Sequence, residues 1–487
     1  MDFQIRKNDW LFMLVCLGLG ILAELSFFHG KIGLSYLVFV ASFYVVLFMR
    51  IRILVNHRRI GLLIMVAVWL LTGSYLFYDN VLFYNLNLFF IPVLIFFHIV
   101  LITSPNKLRW DNFQFIALLR AKLSQAAAYI TTFCKAGLEK LFSNMNKQAA
   151  DNVKRIGIGL AIGVPLLVVI IGLLMSADAV FQEVVLQFPQ FLLELNFLEG
   201  FFRVLAVILL TLLFFGVLQV LHIRLRPADF DFNKTRKRTN KHWNSVTSLT
   251  ILVMLNSVYV LFAVIQFRYF FSEGLQDGFT YAEYARRGFF ELVFVTLINW
   301  TILTSCLNLV KGVEKNILMK MMYSLLIVAS GVMLASAYQR LSMYEAAYGF
   351  TIARLLAHAF MIFLMVIFAY TLIRVWIERL SLLHFYLIAG LIFYTILNVI
   401  NIEQIIVDKN LERYKQIEKI DIYYLSTLSY TGTDGLIKLY ERREDYPELK
   451  DMLRAKQERL KQQDQTSWQS FNFTKQKVIE KLQNLEL

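Results

Sequence analysis

Charged residues are scarce in this sequence. Asp, Glu, Lys and Arg make up 17% of its 487 residues, whereas 58% are hydrophobic. A soluble domain carries about 25% charged residues, so the shortage of charge argues against an ordinary soluble protein. The charges that are present cluster in short basic segments between long uncharged stretches. This alternation is typical of membrane-crossing helices and their connections.

Cysteine and proline are also rare. The three cysteines, Cys16, Cys134 and Cys306, have neither metal-ligand nor redox spacing. The sequence shows no Gly-rich phosphate loop, nucleophile elbow or His/Cys/Asp set with metal spacing, so it predicts no cofactor and no metal site. The six prolines form no matched pair of broken helices, and no internal repeat is visible. Many transporters, by contrast, are built from inverted repeats.

Apolar runs long enough to cross about 30 Å of hydrocarbon recur along the chain. They predict an all-α, polytopic transmembrane helix bundle with about eleven spans, followed by a small helical tail. The predicted spans are 10–28, 32–49, 60–78, 84–103, 156–175, 201–221, 246–267, 290–310, 317–338, 355–373 and 385–401.

The spans divide the chain into consecutive parts. Residues 1–103 are predicted to form an N-terminal four-span membrane segment, and residues 104–155 a cytoplasmic amphipathic loop. Residues 156–401 are predicted to form a core membrane domain with seven spans. Residues 402–487 are predicted to form a soluble, helical extracytoplasmic tail.

Most Lys and Arg residues outside the tail lie in alternate connections. The positive-inside rule therefore predicts a cytoplasmic N-terminus and a C-terminus outside. We interpret the basic loop Arg224–Lys241 as a topology determinant, with binding of anionic lipid headgroups as the alternative. Such loops explain the net charge of +14, and no nucleic-acid module is visible. The predicted partner is thus the lipid bilayer and not a nucleic acid.

The loop at residues 104–155 contains apolar residues at three- and four-residue steps, which predicts an amphipathic helix. This helix either lies on the inner leaflet or packs on the protein's own loops. The apolar positions are Phe113, Ile116, Leu119, Leu123, Ala127 and Ile130.

The predicted spans hold few ionisable side chains, namely Glu24, His98 and His358. Such groups are costly in hydrocarbon and are functional candidates by default. We expect Glu24, near the outer end of its span, to reach the interface. We expect the two histidines to be satisfied by neighbouring carbonyl groups.

Polar side chains concentrate instead in connections predicted to lie outside. Before span eight, Glu283, Arg287 and Glu291 share one helical face at i, i+4 and i+8. After span nine, Gly349 can end a helix and Thr351 can cap the next one. The predicted outer polar cluster comprises Asp178, Tyr281, Glu283, Tyr284, Arg286, Arg287, Glu291, Arg340, Tyr344, Glu345, Tyr348, Thr351 and Arg354.

Two interpretations of this cluster compete. It is either a structural network that ties helix ends together, or a polar pocket for an anionic or amphiphilic ligand with arginine donors. The balanced charge within each segment favours the network, because an anion site should carry surplus positive charge. Asp178, the weakest member, could pair with one of the outer arginines.

Residues 402–487 shift abruptly to a soluble composition. They predict amphipathic helices at Leu436–Tyr440, Leu449–Leu460 and Val478–Leu485, with a turn at Thr431–Gly435. Such a tail is too small to hold a large core alone. We expect it to dock on the outer ends of the spans and to contact the membrane domain or another envelope protein.

Several blocks of the sequence carry a family resemblance. They are Phe279–Arg286, Gly288, Phe289, Glu291, Leu292, Arg340, Leu341, Tyr344, Tyr348–Thr351, Arg354, Asn401, Asn410, Asp421, Tyr424, Leu425, Leu428, Ser429 and Trp468–Asn472. On these residues the chain resembles an uncharacterised family of bacterial multi-pass membrane proteins, domain-of-unknown-function family 4173 and the related 4153 group. The resemblance extends over residues 156–487. It implies a bacterial plasma-membrane protein and supplies no activity.

The sequence as a whole predicts an envelope sensor, binding protein or scaffold that uses the outer polar cluster. A transporter or a lipid- or polymer-handling membrane protein is the alternative. A carboxylate-based membrane transferase that uses the glutamates of the cluster is the third possibility. No catalytic residue is predicted.

Overall fold

A computed structural model describes ten parts of the chain. They are residues 5–51, 56–106, 108–141, parts of 155–186, 195–222, 244–271, 289–309, 316–443, 446–462 and 467–487. Within these residues the chain forms helices and no strand, which confirms the predicted all-α class.

The helices that precede the tail are α1 (Lys7–Phe27), α2 (Leu34–Arg50), α3 (Arg58–Phe77), α4 (Val81–Thr103), α5 (Phe113–Leu141), α6 (Ala179–Leu186), α7 (Leu195–His222), α8 (Ser245–Phe271), α9 (Phe289–Leu309), α10 (Ile317–Tyr348), α11 (Ile352–Trp376) and α12 (Leu382–Val399). The tail contributes α13 (Ile402–Ile417), α14 (Ile422–Thr427), α15 (Tyr430–Tyr440), α16 (Leu449–Gln462), the 3₁₀ turn Trp468–Ser470 and α17 (Phe473–Gln483).

Nine helices of the described chain are long and apolar enough to cross a membrane: α1, α3, α4 and α7–α12. A tenth, α2, is apolar but has only 17 residues. These ten helices correspond to ten of the predicted spans, so the chain is a multi-pass integral membrane protein. The remaining predicted span, 156–175, is described only in part, and its described residues are helical.

Helix α10 is longer than predicted. It continues past residue 338 as far as Tyr348 and ends at Gly349, whose φ is +86°. The chain has neither Gly nor Pro between residues 332 and 348, so nothing interrupts the helix before that glycine. The predicted connection after span nine is therefore mostly an extension of the span itself.

The first helical bundle is formed by α1–α5 and α7, which share one hydrophobic core. Large side chains such as Tyr36, Leu71 and Phe215 are fully buried there. Helices α1 and α7 lie closest together. A Cβ atom at Gly20 would overlap Thr211 Oγ1 and lie 2.9 Å from the Val207 carbonyl oxygen. The absence of a side chain at Gly20 thus permits the close approach.

Replacing Gly20 with Ala should destabilise the first bundle by about 1–3 kcal/mol, because the added methyl group has no space between α1 and α7. The matched control is Gly18→Ala on the same helix, where a Cβ atom meets nothing within 4 Å. Unfolding in mixed micelles measures both variants. Equal stability of the two would contradict the close packing of these helices.

The second bundle consists of α8–α11, which bury a separate core around Leu303, Tyr323 and Phe368. Helix α12 packs on α3 of the first bundle and on α11 of the second. It therefore connects the two bundles within the membrane part of the chain.

Helix α5 corresponds to the predicted amphipathic loop helix. Its buried residues include Phe115, Tyr129 and Phe133, which belong to the core of the first bundle. Ile116 and Leu123, on the predicted apolar face, are instead exposed. The protein covers mainly a second apolar face. Of the predicted face, Leu119 also packs against this core, whereas Ile116 and Leu123 do not.

The tail forms a third core that continues into the membrane helices. Tail residues such as Val407 and Leu436 share this core with Phe83 of α4, and Leu397 of α12 packs against it. This arrangement confirms that the tail docks on the ends of the spans, as its small size predicts.

The predicted turn at Thr431–Gly435 is wrong, because these residues lie within α15. A Cβ atom at Gly432 would overlap the Leu425 carbonyl oxygen, and one at Gly435 would lie 2.6 Å from Val407 Cγ1. The two glycines therefore allow α15 to pack closely against α13 and α14. A glycine pair typical of a turn serves here as a helix contact surface.

Candidate functional site

The first segment of the predicted outer polar cluster lies mostly outside the described residues, as does the basic loop at residues 224–241. The cluster members concerned are Tyr281, Glu283, Tyr284, Arg286 and Arg287. Glu291 lies in the first turn of α9.

Asp178 caps the start of α6. Its Oδ1 accepts hydrogen bonds from the backbone N–H groups of Val180 and Phe181 at 2.8 and 2.9 Å. These bonds do not test the pairing of Asp178 with an outer arginine, which stays a prediction.

The segment between α10 and α11 does bring predicted residues together. The rings of Tyr344 and Tyr348 lie 4.9 Å apart. The guanidinium of Arg354 lies 4.4 Å from the centre of the Tyr344 ring and donates to the Gly349 carbonyl. Arg340 lies on the same helix, one turn before Tyr344. Gly349 ends α10 and Thr351 caps α11, as predicted.

Glu345 points away from the tyrosines and into the second bundle. Its Oε2 lies 2.9 Å from His358 Nε2, and both side chains are buried. The other intramembrane histidine, His98, binds the Tyr44 hydroxyl at 2.9 Å through Nδ1. The expectation that carbonyl groups satisfy these histidines is therefore wrong, since each has a side-chain partner.

Glu24 is also buried rather than exposed at the interface. It is 6% exposed, and its Oε1 lies 3.5 Å from His29 Nδ1 and 3.8 Å from Arg203 Nε. Arg203 also donates to His29 Nε2 at 2.6 Å. Arg203 and His29 together hold the carboxylate in place at the end of the bundle, so it does not extend to water.

The tail binds the α10–α11 connection through side chains on α13 and α14. Asn410 accepts from the Phe350 N–H at 3.0 Å and donates to the Phe350 carbonyl at 2.9 Å. The Tyr424 hydroxyl accepts from the Ile352 N–H at 2.7 Å. Asn410 and Tyr424 are among the residues that carry the family resemblance, and docking of the tail accounts for both.

The end of the tail binds two further helix connections. Asn472 donates to the carbonyl groups of Tyr75 and Tyr78 at 2.9 and 3.2 Å, at the end of α3. The Phe471 carbonyl accepts from the Leu34 N–H at 3.2 Å, at the start of α2. The tail thus holds the ends of three helical hairpins, two in the first bundle and one in the second.

A small recess of about 20 Å³, partly open to solvent, lies where the tail meets the α3–α4 connection. Its lining residues are Ser74, Tyr75, Tyr78, Asp79, Asn80, Phe83, Tyr84, Asn87, Leu397, Asn398, Ile400, Asn401, Ile402, Glu403 and Thr431. We call it the junction recess.

Glu403 contributes a tail carboxylate to the junction recess. It is 4% exposed, accepts from Asn80 Nδ2 at 2.9 Å and from the Ser429 N–H at 3.2 Å, and also binds the Ser429 hydroxyl. Burial raises the pKa of Glu403, and the negative charge of Asp79 adds to the effect, while the bonds from Ser429 and Asn80 oppose it.

Asp79 contributes a second carboxylate, from the α3–α4 connection. Burial raises its pKa, and the neighbouring Lys31 offsets part of this change. Lys31 Nζ lies 3.6 Å from Asp79 Oδ2, but its side chain is 66% exposed, so the pair is weak and accessible to water. The recess therefore holds two poorly hydrated carboxylates, one from the membrane part and one from the tail.

The floor of the recess is an amide network between α4 and α12. Asn87 donates to Asn398 Oδ1 at 2.7 Å and accepts from the Tyr394 hydroxyl at 2.7 Å. Asn398 in turn donates to the Tyr394 carbonyl at 2.8 Å. These groups satisfy one another, so the floor joins helices. Asp79 is instead balanced by the positive charges of Lys31 and Lys475.

A family model with the description Domain of unknown function (DUF4153) matches residues 65–439, more than half of the chain. The chain belongs to the DUF4153 family. The DUF4153 region begins earlier than the predicted range of resemblance, 156–487, and therefore includes Asp79 as well as Glu403. It ends within α15, before the segment that contains Asn472. No curated protein and no solved structure matches the chain.

The arrangement in this DUF4153 protein suits a positively charged ligand. Paired carboxylates that lack full hydration favour a cation, which relieves their mutual repulsion and donates charge-assisted hydrogen bonds to them. Among the described residues no group of three or more His, Cys, Asp or Glu side chains could hold a metal ion. An organic cation with N–H donors can bind both carboxylates through charge-assisted hydrogen bonds.

Sequence reasoning missed both carboxylates. Asp79 precedes Asn80, the N-cap of α4, and Glu403 follows Asn401, the N-cap of α13. In each case an acid beside a capping residue is ordinary at a helix start. The only local feature of the sequence that pointed to this recess was the concentration of Asn and Asp in two short connections.

Proposed function

We propose that this membrane protein is a sensor or binding protein for a small organic cation, which binds in the junction recess between Asp79 and Glu403. The observation that supports the proposal is the origin of the two acids. Asp79 belongs to the α3–α4 connection, and Glu403 belongs to the first turn of the tail. A cation between them joins the tail to the membrane helices, so its binding changes how firmly the tail is held.

The exposed Lys31 is the natural competitor for this position. Its ammonium group lies 3.6 Å from Asp79 at the end of a flexible side chain that keeps most of its hydration. A ligand cation that reaches both carboxylates gains two charge-assisted bonds. Such a ligand displaces Lys31 from Asp79 at little cost, because exposed ion pairs contribute only about 0–1 kcal/mol.

We further propose that the tail and the junction recess face away from the cytoplasm in a bacterial plasma membrane. The distribution of Lys and Arg supports this orientation, and the resemblance to family 4173 supports the bacterial source. On this side the tail could also contact another envelope protein. A reporter fused after residue 487 should be active outside the cytoplasm, and cytoplasmic activity would contradict the orientation.

Ethanolamine is a suitable probe for the proposed site. In nanodiscs at about pH 8 it should raise the melting temperature of the full-length protein, whereas glycerol and acetate should not. The pKa values of Asp79 and Glu403 are raised, so both acids take up protons as the pH falls. Ethanolamine binding should therefore weaken as the pH falls into the range where the two acids become protonated.

Variants of the two acids test the site directly. Asp79→Asn and Glu403→Gln should each weaken ethanolamine binding by about tenfold or more, the effect of losing one charge-assisted bond. Glu412→Gln is the matched control, because Glu412 is an exposed acid on the same helix as Glu403. Unchanged binding in both recess variants would contradict the proposal.

A transporter is the second candidate, and the buried pair Glu345–His358 favours it. The pair lies between α10 and α11 within the second bundle. Glu345 Oε1 and His358 Nδ1 have no hydrogen-bond partner among the described residues. Ionisable side chains with spare hydrogen-bonding capacity inside a membrane bundle are typical of proton or substrate pathways. Proteoliposomes that take up a substrate in response to a proton gradient, and lose this uptake in His358→Gln, would support transport. Proteoliposomes of the wild-type protein without any proton-driven uptake would contradict it.

A further inference from the structure

Helix α5 has three distinct sides, although its sequence predicts two. The first side faces the protein. The rings of Phe115 and Phe97 lie 4.8 Å apart, and those of Phe133 and Trp10 lie 4.5 Å apart. Tyr129 is fully buried and packs on α7. This side fixes the helix against α1, α4 and α7.

The second side is apolar and exposed. Ile116, Leu123 and Leu138 are 52%, 47% and 43% exposed. Ala127 and Cys134 lie between them on the same stripe and are exposed as well. At about 100° per residue these positions form one line along the helix, about 120° from the buried side. A soluble surface rarely exposes an apolar stripe of this length.

The third side is polar or small. Its residues are Gln114, Ala117, Ala121, Gln125, Ala128, Thr132, Lys135 and Glu139. This side lies about 120° from each of the others. Two basic residues mark its border with the apolar stripe: Arg120 lies one turn after Ile116, and Lys135 follows Cys134 directly.

The position of α5 relative to the spans explains this three-way division. The helix packs against the first residues of α1, through Trp10, and the last residues of α7, through Val220, whose carbonyl accepts from Lys122 Nζ at 3.4 Å. Both contacts lie at the end of the bundle opposite the tail. Helix α5 is not apolar enough to count among the helices that could cross a membrane. Its contacts therefore place it along the boundary where those helices end.

We infer that α5 is an interfacial helix, with its stripe of Ile116, Leu123, Cys134 and Leu138 inserted at the boundary between headgroups and acyl chains. Arg120 and Lys135 then lie at headgroup level and bind anionic phosphate groups, while the third side faces water. The occupant of the exposed stripe is the bilayer that the protein itself spans. This inference does not depend on the proposed ligand site at the opposite end.

Cys134 provides a direct test, because it lies in the stripe and is exposed, whereas Cys16 and Cys306 are buried. A nitroxide label on Cys134 of the full-length protein in phosphatidylcholine vesicles should be relaxed by oxygen and protected from a water-soluble nickel complex. In the control, Cys134→Ser with Ala128→Cys places the label on the third side. There the label should be relaxed by the nickel complex more than by oxygen.

Two outcomes at Cys134 would overturn the inference. Relaxation by the nickel complex would place the stripe in water, and protection from both reagents would place it under protein. The charge requirement has its own readout. Adding phosphatidylglycerol to the vesicles should move the label on the wild-type protein deeper into the bilayer, and should not move it in the double variant Arg120→Gln/Lys135→Gln. An identical response of the two proteins would exclude headgroup binding by these residues.

Discussion

Replacing Arg50 with Met should destabilise the first bundle by about 3–5 kcal/mol, because it leaves the Asp9 carboxylate buried without a counter-charge. Asp9 is 3% exposed, and Arg50 Nη2 lies 3.1 Å from its Oδ1. The same arginine nitrogen donates to Gln219 Oε1 at 2.6 Å. Equilibrium unfolding in mixed micelles should show the loss as a shift of the midpoint.

The size of this effect follows from the network around Asp9. Gln219 donates to Asp9 Oδ1 at 2.6 Å, and the Tyr129 hydroxyl donates to Asp9 Oδ2 at 3.1 Å. With Arg50 included, side chains from α1, α2, α5 and α7 meet at one carboxylate. Removing the positive charge therefore affects the contacts of four helices at once.

A double variant separates charge from packing. Asp9→Asn together with Arg50→Met removes both charges and should recover much of the lost stability, since a neutral pair has no unpaired ion to bury. Arg59→Met, which removes an exposed arginine at the start of α3, should have little effect. A double variant no more stable than Arg50→Met alone would show that the charge pair is not the cause.

Replacing Gly33 with Ala should release the end of the tail from the membrane helices. A Cβ atom at Gly33 would overlap the Phe471 carbonyl oxygen and lie 3.0 Å from that of Gln469. Both are backbone atoms, so the tail segment itself must move. Overpacking of this kind costs about 1–3 kcal/mol, which corresponds to about fivefold to 150-fold faster amide exchange in the docked segment.

Hydrogen exchange measured by mass spectrometry over residues 467–483 tests this prediction. The helices of the first bundle should exchange as in the wild-type protein, because the clash involves only the docked segment. Gly73→Ala is the control, since a Cβ atom there meets nothing within 4 Å. Unchanged exchange in Gly33→Ala would show that the tail does not dock at this point.

The amino-acid sequence by itself determined the membrane part of the fold. Uncharged runs long enough to cross hydrocarbon predicted ten of the described helices. This works because a membrane-crossing helix needs only sufficient length and an apolar composition. Local chemistry also placed the end of α10 at Gly349 and the cap of α11 at Thr351. These features depend on residues within a few positions of one another, which is why a single sequence reveals them.

Only the tertiary structure decided which polar groups meet. Asn80 and Glu403 are hydrogen-bonded although 323 positions separate them, and no periodicity links residues so far apart. Spacing placed Glu345 in an outer cluster, whereas the packing of α10 on α11 gave it His358 as partner. The use of the outer polar cluster as a site stays a prediction.

The same distinction applies to glycine and to α5. Gly432 and Gly435 have the composition of a turn, and only the neighbouring helices make them a packing surface. The apolar pattern of α5 predicted an amphipathic helix, but the helix has two apolar stripes. The bundle covers mainly the stripe that contains Phe115 and Tyr129. Sequence thus determined which segments enter the membrane, while the shape of the neighbouring helices decided which side chains are covered and which polar groups meet.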